Sequence, residues 1–100
     1  MARRTPLEEA ELRRRLAGLE GWTLESGKLH KEYRFKDFTE AFTFMSLSAR
    51  SAETMNHHPE WSNVYNVVIV DLSTHDAGGV TDLDFLLAQE MEKNVRDRHP

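Results

Sequence analysis

The 100-residue chain contains no cysteine. This one absence excludes a disulfide framework, thiolate zinc sites, iron–sulfur ligation and a cysteine nucleophile, and it leaves imidazoles and carboxylates as the available metal ligands. Positive charge is not in excess either: 13 Lys and Arg against 17 Asp and Glu give a formal net charge of -4, whereas phosphate-backbone binders usually carry a basic patch. The basic residues that do cluster, Arg3-Arg4 and Arg13-Arg14-Arg15, are interleaved with Glu8, Glu9 and Glu11 as on a solvated helix face. No apolar run approaches a membrane span, and the N-terminus lacks the apolar stretch of a secretory signal. A cytoplasmic protein with neither a nucleic-acid nor a membrane partner is expected. Linkers, repeats and low-complexity segments are missing too, so residues 1–100 read as a single domain. At this length folding buries roughly two thirds of the unfolded surface. With 39% apolar and 30% charged residues the chain suits one modest core and lies outside the disorder-prone range.

What is present is periodic. Thr5-Pro6-Leu7-Glu8 has the form of a helix start, with Thr5 as N-cap, Pro6 at the first helical position and Glu8 closing a capping box; the helix is predicted from about Pro6 to Ala17, before Gly18 and Gly21. From Trp22 to Phe35 the apolar period falls to two around a Ser26-Gly27 turn, which predicts a β-hairpin. Asp37-Phe38-Thr39-Glu40 repeats the capping-box pattern, and Phe38, Ala41, Phe42, Met45, Ala49, Ala52 and Met55 recur at helical spacing to about Asn56. His58 precedes Pro59 and is therefore biased away from helical geometry. Two extended runs follow, Trp61 to Val64 and Tyr65 to Leu72, the second apolar on both faces and so central in its sheet. Thr81 is placed to cap a last helix that buries Leu83, Leu86, Leu87, Met91 and Val95. The order α-β-β-α-β-β-α predicts an α+β domain, a four-stranded antiparallel sheet with three helices packed on one face.

Chemistry concentrates between Glu53 and His75, where three of the five histidines stand among carboxylates and aromatics. Glu53 and His57 have i,i+4 spacing and share a face if the helix continues that far, though an ordinary surface Glu–His pair has the same spacing. His57-His58 before Pro59 sits where a helix ends and a strand begins, a junction that can aim two imidazoles at one small volume. His75 is about ten residues beyond Tyr65, roughly 33 Å if the chain ran straight. A shared site therefore requires a hairpin, with its bend near Tyr65-Asn66.

Two chemistries compete for such a cluster. His57, His58 and His75 with Glu53 could hold zinc or iron, but neighbouring side chains point apart and no established ligand spacing is present, so no metal is expected. Metal-free general acid–base catalysis suits imidazoles, whose unperturbed pKa near 6.5 lets one ring give a proton while another takes one. Trp61 and Tyr65 could flank a planar heterocycle, although sheet packing accounts for each alone. Asp84, in the first turn of the last helix, is explained equally by the helix dipole.

Glu53-x3-His57-His58-Pro59, then Tyr65, His75 and Asp84, within HHPEWSNVYNVVIVDLSTHDAGGVTDLD, resembles the pterin-4a-carbinolamine dehydratases. The likeness extends over nearly the whole chain. It implies dehydration of 4a-hydroxytetrahydropterin to quinonoid dihydropterin, in recycling of a tetrahydrobiopterin-type cofactor, with the pterin as substrate and no metal or cofactor. By resemblance His57, His58 and His75 are the active-site histidines, His57 and His75 for proton transfer and His58 mainly for substrate contact. Glu53 would orient or tune a histidine, and Trp61 and Asp84 would shape the pocket. Members often carry aspartate where this chain has Asn56, which can accept a hydrogen bond but offers no charge to an imidazolium; a changed rate or pH optimum is implied, and loss of activity is not. The resemblance also implies a homodimer or homotetramer, and an open sheet edge makes association physically sensible. Two alternatives come with it: a non-catalytic dimerisation module acting as a transcriptional coactivator, and a pterin role in molybdopterin metabolism.

Overall fold

Two tight turns organise the sheet. Ser26 and Gly27 both hold positive φ, 51° and 77°, as the two central residues of a type I′ hairpin turn must. Tyr65-Asn66 makes the second bend, with Tyr65 at φ 51°. The computed structural model describes residues 5–97. Along them run α1 (Glu9–Ala17), β1 (Thr23–Glu25), β2 (Lys28–Arg34), α2 (Phe38–Met55), β3 (Glu60–Val64), β4 (Val67–Leu72) and α3 (Asp82–Asp97), with a 3-10 turn at His75–Ala77 before α3. The predicted order and the α+β class are therefore correct. The four strands form one antiparallel sheet in the order β1-β2-β4-β3, which puts β4 inside, as its two apolar faces required.

One sheet face is dry. Leu29 and Tyr33 of β2 and Val68, Val70 and Leu72 of β4 are buried at alternate positions, and α1, α2 and α3 add Leu12, Phe44 and Leu87 to the same core. Tyr33, Phe35 and Phe44 pack with ring centroids 4.6–6.1 Å apart, contacts that add about 0.5–1.5 kcal/mol per pair beyond area burial. Beside them Glu92 of α3 accepts through Oε2 from Trp22 Nε1 at 3.0 Å, from Lys31 Nζ at 2.8 Å and from the Tyr33 hydroxyl. Burial works against the Glu92 anion, but these donors outweigh it and hold the carboxyl below its usual range. Among the described residues no helix is long and apolar enough to cross a membrane.

Three local expectations need correction. The first helix begins at Glu9, not Pro6, and Glu8 occupies its N-cap position without a side-chain cap bond. The chain before it is drawn alongside the segment leading into α3, where the Leu7 N–H donates to the Val80 carbonyl at 2.9 Å; tertiary pairing has overridden the Thr5-Pro6 start signal. In α2, Asp37 does cap, accepting from the Glu40 N–H at 2.9 Å, but the buried stripe is Ala41, Phe44, Ser48 and Ala52. Phe38 and Phe42 lie outside it, 47% and 55% exposed, and pack against each other with tilted rings at 5.8 Å. The stripe turned because Phe44 meets Tyr33 and Phe35, and because the hydroxyl of Ser48 accepts from Asn94 Nδ2 of α3 at 3.1 Å and so tolerates burial. In α3, Leu86 is exposed while Phe85 and Ala88 are buried.

Candidate active site

The end of α2 aims the first histidine. Asn56 takes the left-handed conformation, φ 52° and ψ 44°; its N–H donates to the Glu53 carbonyl at 3.2 Å and that of His57 to the Ala52 carbonyl at 3.0 Å. This is the Schellman pattern, and asparagine is one of the few residues besides glycine that tolerates the position. Pro59 then prevents further helix, and β3 begins at Glu60. Glu60 pairs with Asp71, so residues 57–58, just before β3, and residues 73–74, just after β4, lie at the same end of the sheet. The hairpin thus brings the two chain segments to one end of the sheet.

There the two segments meet α3 through one buried carboxylate. Asp84 has no exposed surface. Its Oδ1 lies 2.6 Å from His57 Nε2, and its Oδ2 accepts from the Thr74 hydroxyl and from the Thr81 N–H, each at 2.8 Å. Thr81 Oγ1 lies 2.6 Å from Thr74 Oγ1 and accepts from the Leu83 N–H at 3.2 Å. Thr81 and Asp84 therefore form a capping box for α3, and the same carboxylate holds His57. With Nε2 facing Asp84, Nδ1 is the His57 ring nitrogen that no described residue occupies. His57 is 7% exposed, enough for a site it lines but not for free rotation.

His58 stands outside this knot. Its Nε2 lies 2.6 Å from Glu53 Oε2, and both side chains are largely solvent-exposed. The i,i+4 expectation is corrected here: Glu53 partners His58 and not His57, because the helix stops at Met55 and the left-handed Asn56 swings the following residues round. His75, also exposed, opens the 3-10 turn directly after Thr74. It lines a cavity of about 270 Å³ between the β1–β2 turn and residues 73–79, together with Lys28 and Ser73. His57 and His75 are joined through Asp84 and Thr74, the neighbour of His75 in the chain. Trp61 is half-buried against the core. Tyr65 sits 62% exposed at the far end of the β3–β4 hairpin, away from the histidines, and so does not flank a ring bound beside them, contrary to expectation.

Thr81 caps α3 as its sequence position predicts, but its link to the buried carboxylate, like the places of Thr74 and Lys28, was not read from sequence. The Thr81-x-x-Asp84 spacing was a usable capping-box signal; Thr74 and Lys28 enter only through strand register. A larger groove of about 610 Å³ runs between α2 and α3, but no histidine lines it. Among the described residues no three His, Asp or Glu side chains gather as a metal site.

Comparison with known proteins places the chain in a family. The profile of the family described as pterin 4 alpha carbinolamine dehydratase matches residues 5–94. A relative from Solibacter usitatus, named for pterin-4-alpha-carbinolamine dehydratase, is 54% identical over 88 residues, covering 88% of this chain and 93% of its own. One from Rhizobium meliloti, named likewise, is 52% identical over 96 residues, covering 94% and 92%. The crystal structure of a transcriptional coactivator/pterin dehydratase from Brucella melitensis superposes with a TM-score of 0.88 at 42% identity, over 91% of this chain and 99% of that one. A likeness of this extent, running through every element of the fold, shows that the chain belongs to the pterin-4a-carbinolamine dehydratase family.

Proposed function

We propose that this protein dehydrates 4a-hydroxytetrahydropterin to quinonoid dihydropterin by histidine acid–base chemistry, without metal or cofactor, in recycling of a tetrahydrobiopterin-type cofactor. The reaction breaks the C4a–O bond, with one proton delivered to the departing hydroxyl so that water leaves. It also removes the proton on N5, whose electron pair forms the C4a=N5 double bond. One acid and one base on a bound ring are sufficient, and the proton count balances.

The observation that carries this reading is the His57–Asp84 pair. Asp84, fully buried and accepting from the Thr74 hydroxyl and the Thr81 N–H, holds His57 at Nε2 and so leaves Nδ1 as the ring nitrogen for proton transfer. His75 supplies the second proton-transfer group from across the hairpin. His58, braced by Glu53, contacts substrate at the exposed rim, with Trp61 and Asn56 as supporting residues. Association into a homodimer or homotetramer belongs to the same proposal.

Stopped-flow absorbance of 4a-hydroxytetrahydropterin breakdown, with and without protein, tests it. Acceleration is expected, and His57→Ala is expected to lower it on the order of 10²-fold or more; folded protein that leaves the spontaneous rate unchanged sinks the reading. The Brucella melitensis relative is also described as a transcriptional coactivator. A non-catalytic protein-binding role for this chain would show as a stable partner whose binding survives loss of all three histidines.

A further inference from the structure

The cavity beside His75 carries more chemistry than the dehydration uses. One wall is the β1–β2 turn with Ser26 and Lys28; the other holds Ser73, His75 and the Gly78-Gly79 backbone. Register explains the meeting: Leu29 pairs with Leu72, so Lys28 stands opposite Ser73. Among the described residues none that lines this cavity is acidic. Its polar side chains are hydroxyls, an imidazole and an ammonium, a set that donates hydrogen bonds and supplies positive charge.

The ammonium is placed and not merely nearby. Lys28 Nζ reaches across β4 to Glu60 Oε1 at 2.7 Å. That hydrogen bond raises the Lys28 pKa, so the group is cationic across the neutral range. Glu60 takes one of three N–H donors and leaves two. Its side chain is 59% exposed and that of Lys28 36%, so Glu60 can turn into water when another anion arrives. Small residues keep the opposite wall open, since a Cβ on Gly78 would meet nothing within 4 Å.

We propose that this cavity is an anion subsite, taking a carboxylate or phosphate on the substituent of the bound pterin, with Lys28 as the residue that sets the preference. The inference rests on the dehydratase reading for the identity of the ring, and His75 is the shared wall between the reacting ring and its substituent. Lys28 acts from the outer side of the sheet, whereas His57 is held from the helix side. His57 does not line this cavity, so the subsite would meet the substituent and not the reacting bond.

Equilibrium binding tests this without requiring turnover. Pterin fluorescence would be titrated with a neutral 6-methylpterin, a 6-carboxypterin and a pterin with a phosphorylated side chain, on the full chain and on Lys28→Met and Lys28→Arg. At least one anionic ligand should bind about fivefold more tightly than the neutral one, the scale of a partly exposed ion pair, and which of the two does so identifies the anion. Lys28→Met should bring the ratio close to one, and Lys28→Arg should retain most of it. Equal affinity for all three ligands, or a preference that Lys28→Met leaves intact, overturns the subsite. Preferential binding without accelerated dehydration would leave the subsite standing and remove the reaction; acceleration without preference would do the reverse.

Discussion

Asp84 and His57, 27 positions apart in the chain, meet at 2.6 Å with the carboxylate wholly buried. One side chain thereby closes the N-terminus of α3 and fixes a histidine ring, so stability and the proposed proton transfer are coupled at one residue. Asp84→Asn retains an oxygen for the Thr81 N–H but loses the charge behind His57. It is expected to lower dehydration on the order of 10²-fold. Asp84→Ala removes both functions and is expected to cost about 3 kcal/mol of stability as well. Urea unfolding beside stopped-flow rates separates the two; equal loss of activity and stability in both variants would contradict the assignment.

Thr81 gives a finer separation. Its hydroxyl caps α3 and touches Thr74, while its backbone N–H serves Asp84. Thr81→Val keeps the shape and the N–H but strands the Leu83 N–H and Thr74 partners, at an expected cost of about 1–2 kcal/mol. Thr81→Ser should restore most of that. If the valine variant melts with the parent protein, the hydroxyl is not a cap.

Glu53 and His58 should behave in the opposite way. Their side chains are 77% and 56% exposed, and exposed ion pairs contribute little to folding. Glu53→Gln is expected to shift stability by no more than about 0.5 kcal/mol while slowing dehydration through a looser His58. A rate identical to the parent's would leave the pair as surface decoration.

Much of this arrangement was legible in advance. The hairpin bend at Tyr65-Asn66 followed from requiring His75 to approach His57 and His58, and the Val67 to Leu72 run announced a central strand by being apolar on both faces. What escaped was whatever depended on three-dimensional partners. Ser48 has no place in the apolar stripe predicted for α2, because its burial depends on Asn94 from another helix. Glu53 read as the His57 partner because helical spacing was extended one residue past a left-handed turn. Thr5 read as a cap because pairing of Leu7 with Val80 leaves no local trace.

The Glu92 cluster makes a prediction in pH. Donors from Lys31, Tyr33 and Trp22 hold the Glu92 carboxyl below its unfolded value of 4.5. A depressed folded pKa contributes stability that is present above the unfolded pKa and lost as pH falls through the folded one. The stability gap between the parent and Glu92→Gln should therefore be full near pH 7 and shrink below about pH 4.5. Denaturant midpoints at pH 7, 5 and 3.5 measure it. A gap that stays constant in acid would mean the charge of Glu92 is irrelevant and only its shape matters.

Asn56 ends α2, and the fold supplies a reason for asparagine there. At φ 52° and ψ 44° it closes α2 in a region that most L-residues enter only at a cost of roughly 1–2 kcal/mol. Asn56→Ala is expected to destabilise by about 1 kcal/mol, and Asn56→Gly to be neutral or slightly stabilising, because glycine accepts this geometry freely. Asn56→Asp adds a carboxylate at the C-terminus of a helix, which the dipole disfavours by about 0.3–1 kcal/mol, yet it sets a negative charge beside the histidine pair. Its expected signature is thus opposed: slightly lower thermal stability together with a dehydration pH profile displaced upward, since a nearby anion favours imidazolium. Melting curves and rates from pH 5 to 9 on the three variants would decide it. If Asn56→Gly loses as much stability as Asn56→Ala, the residue's role lies in its side chain and not in the turn it makes.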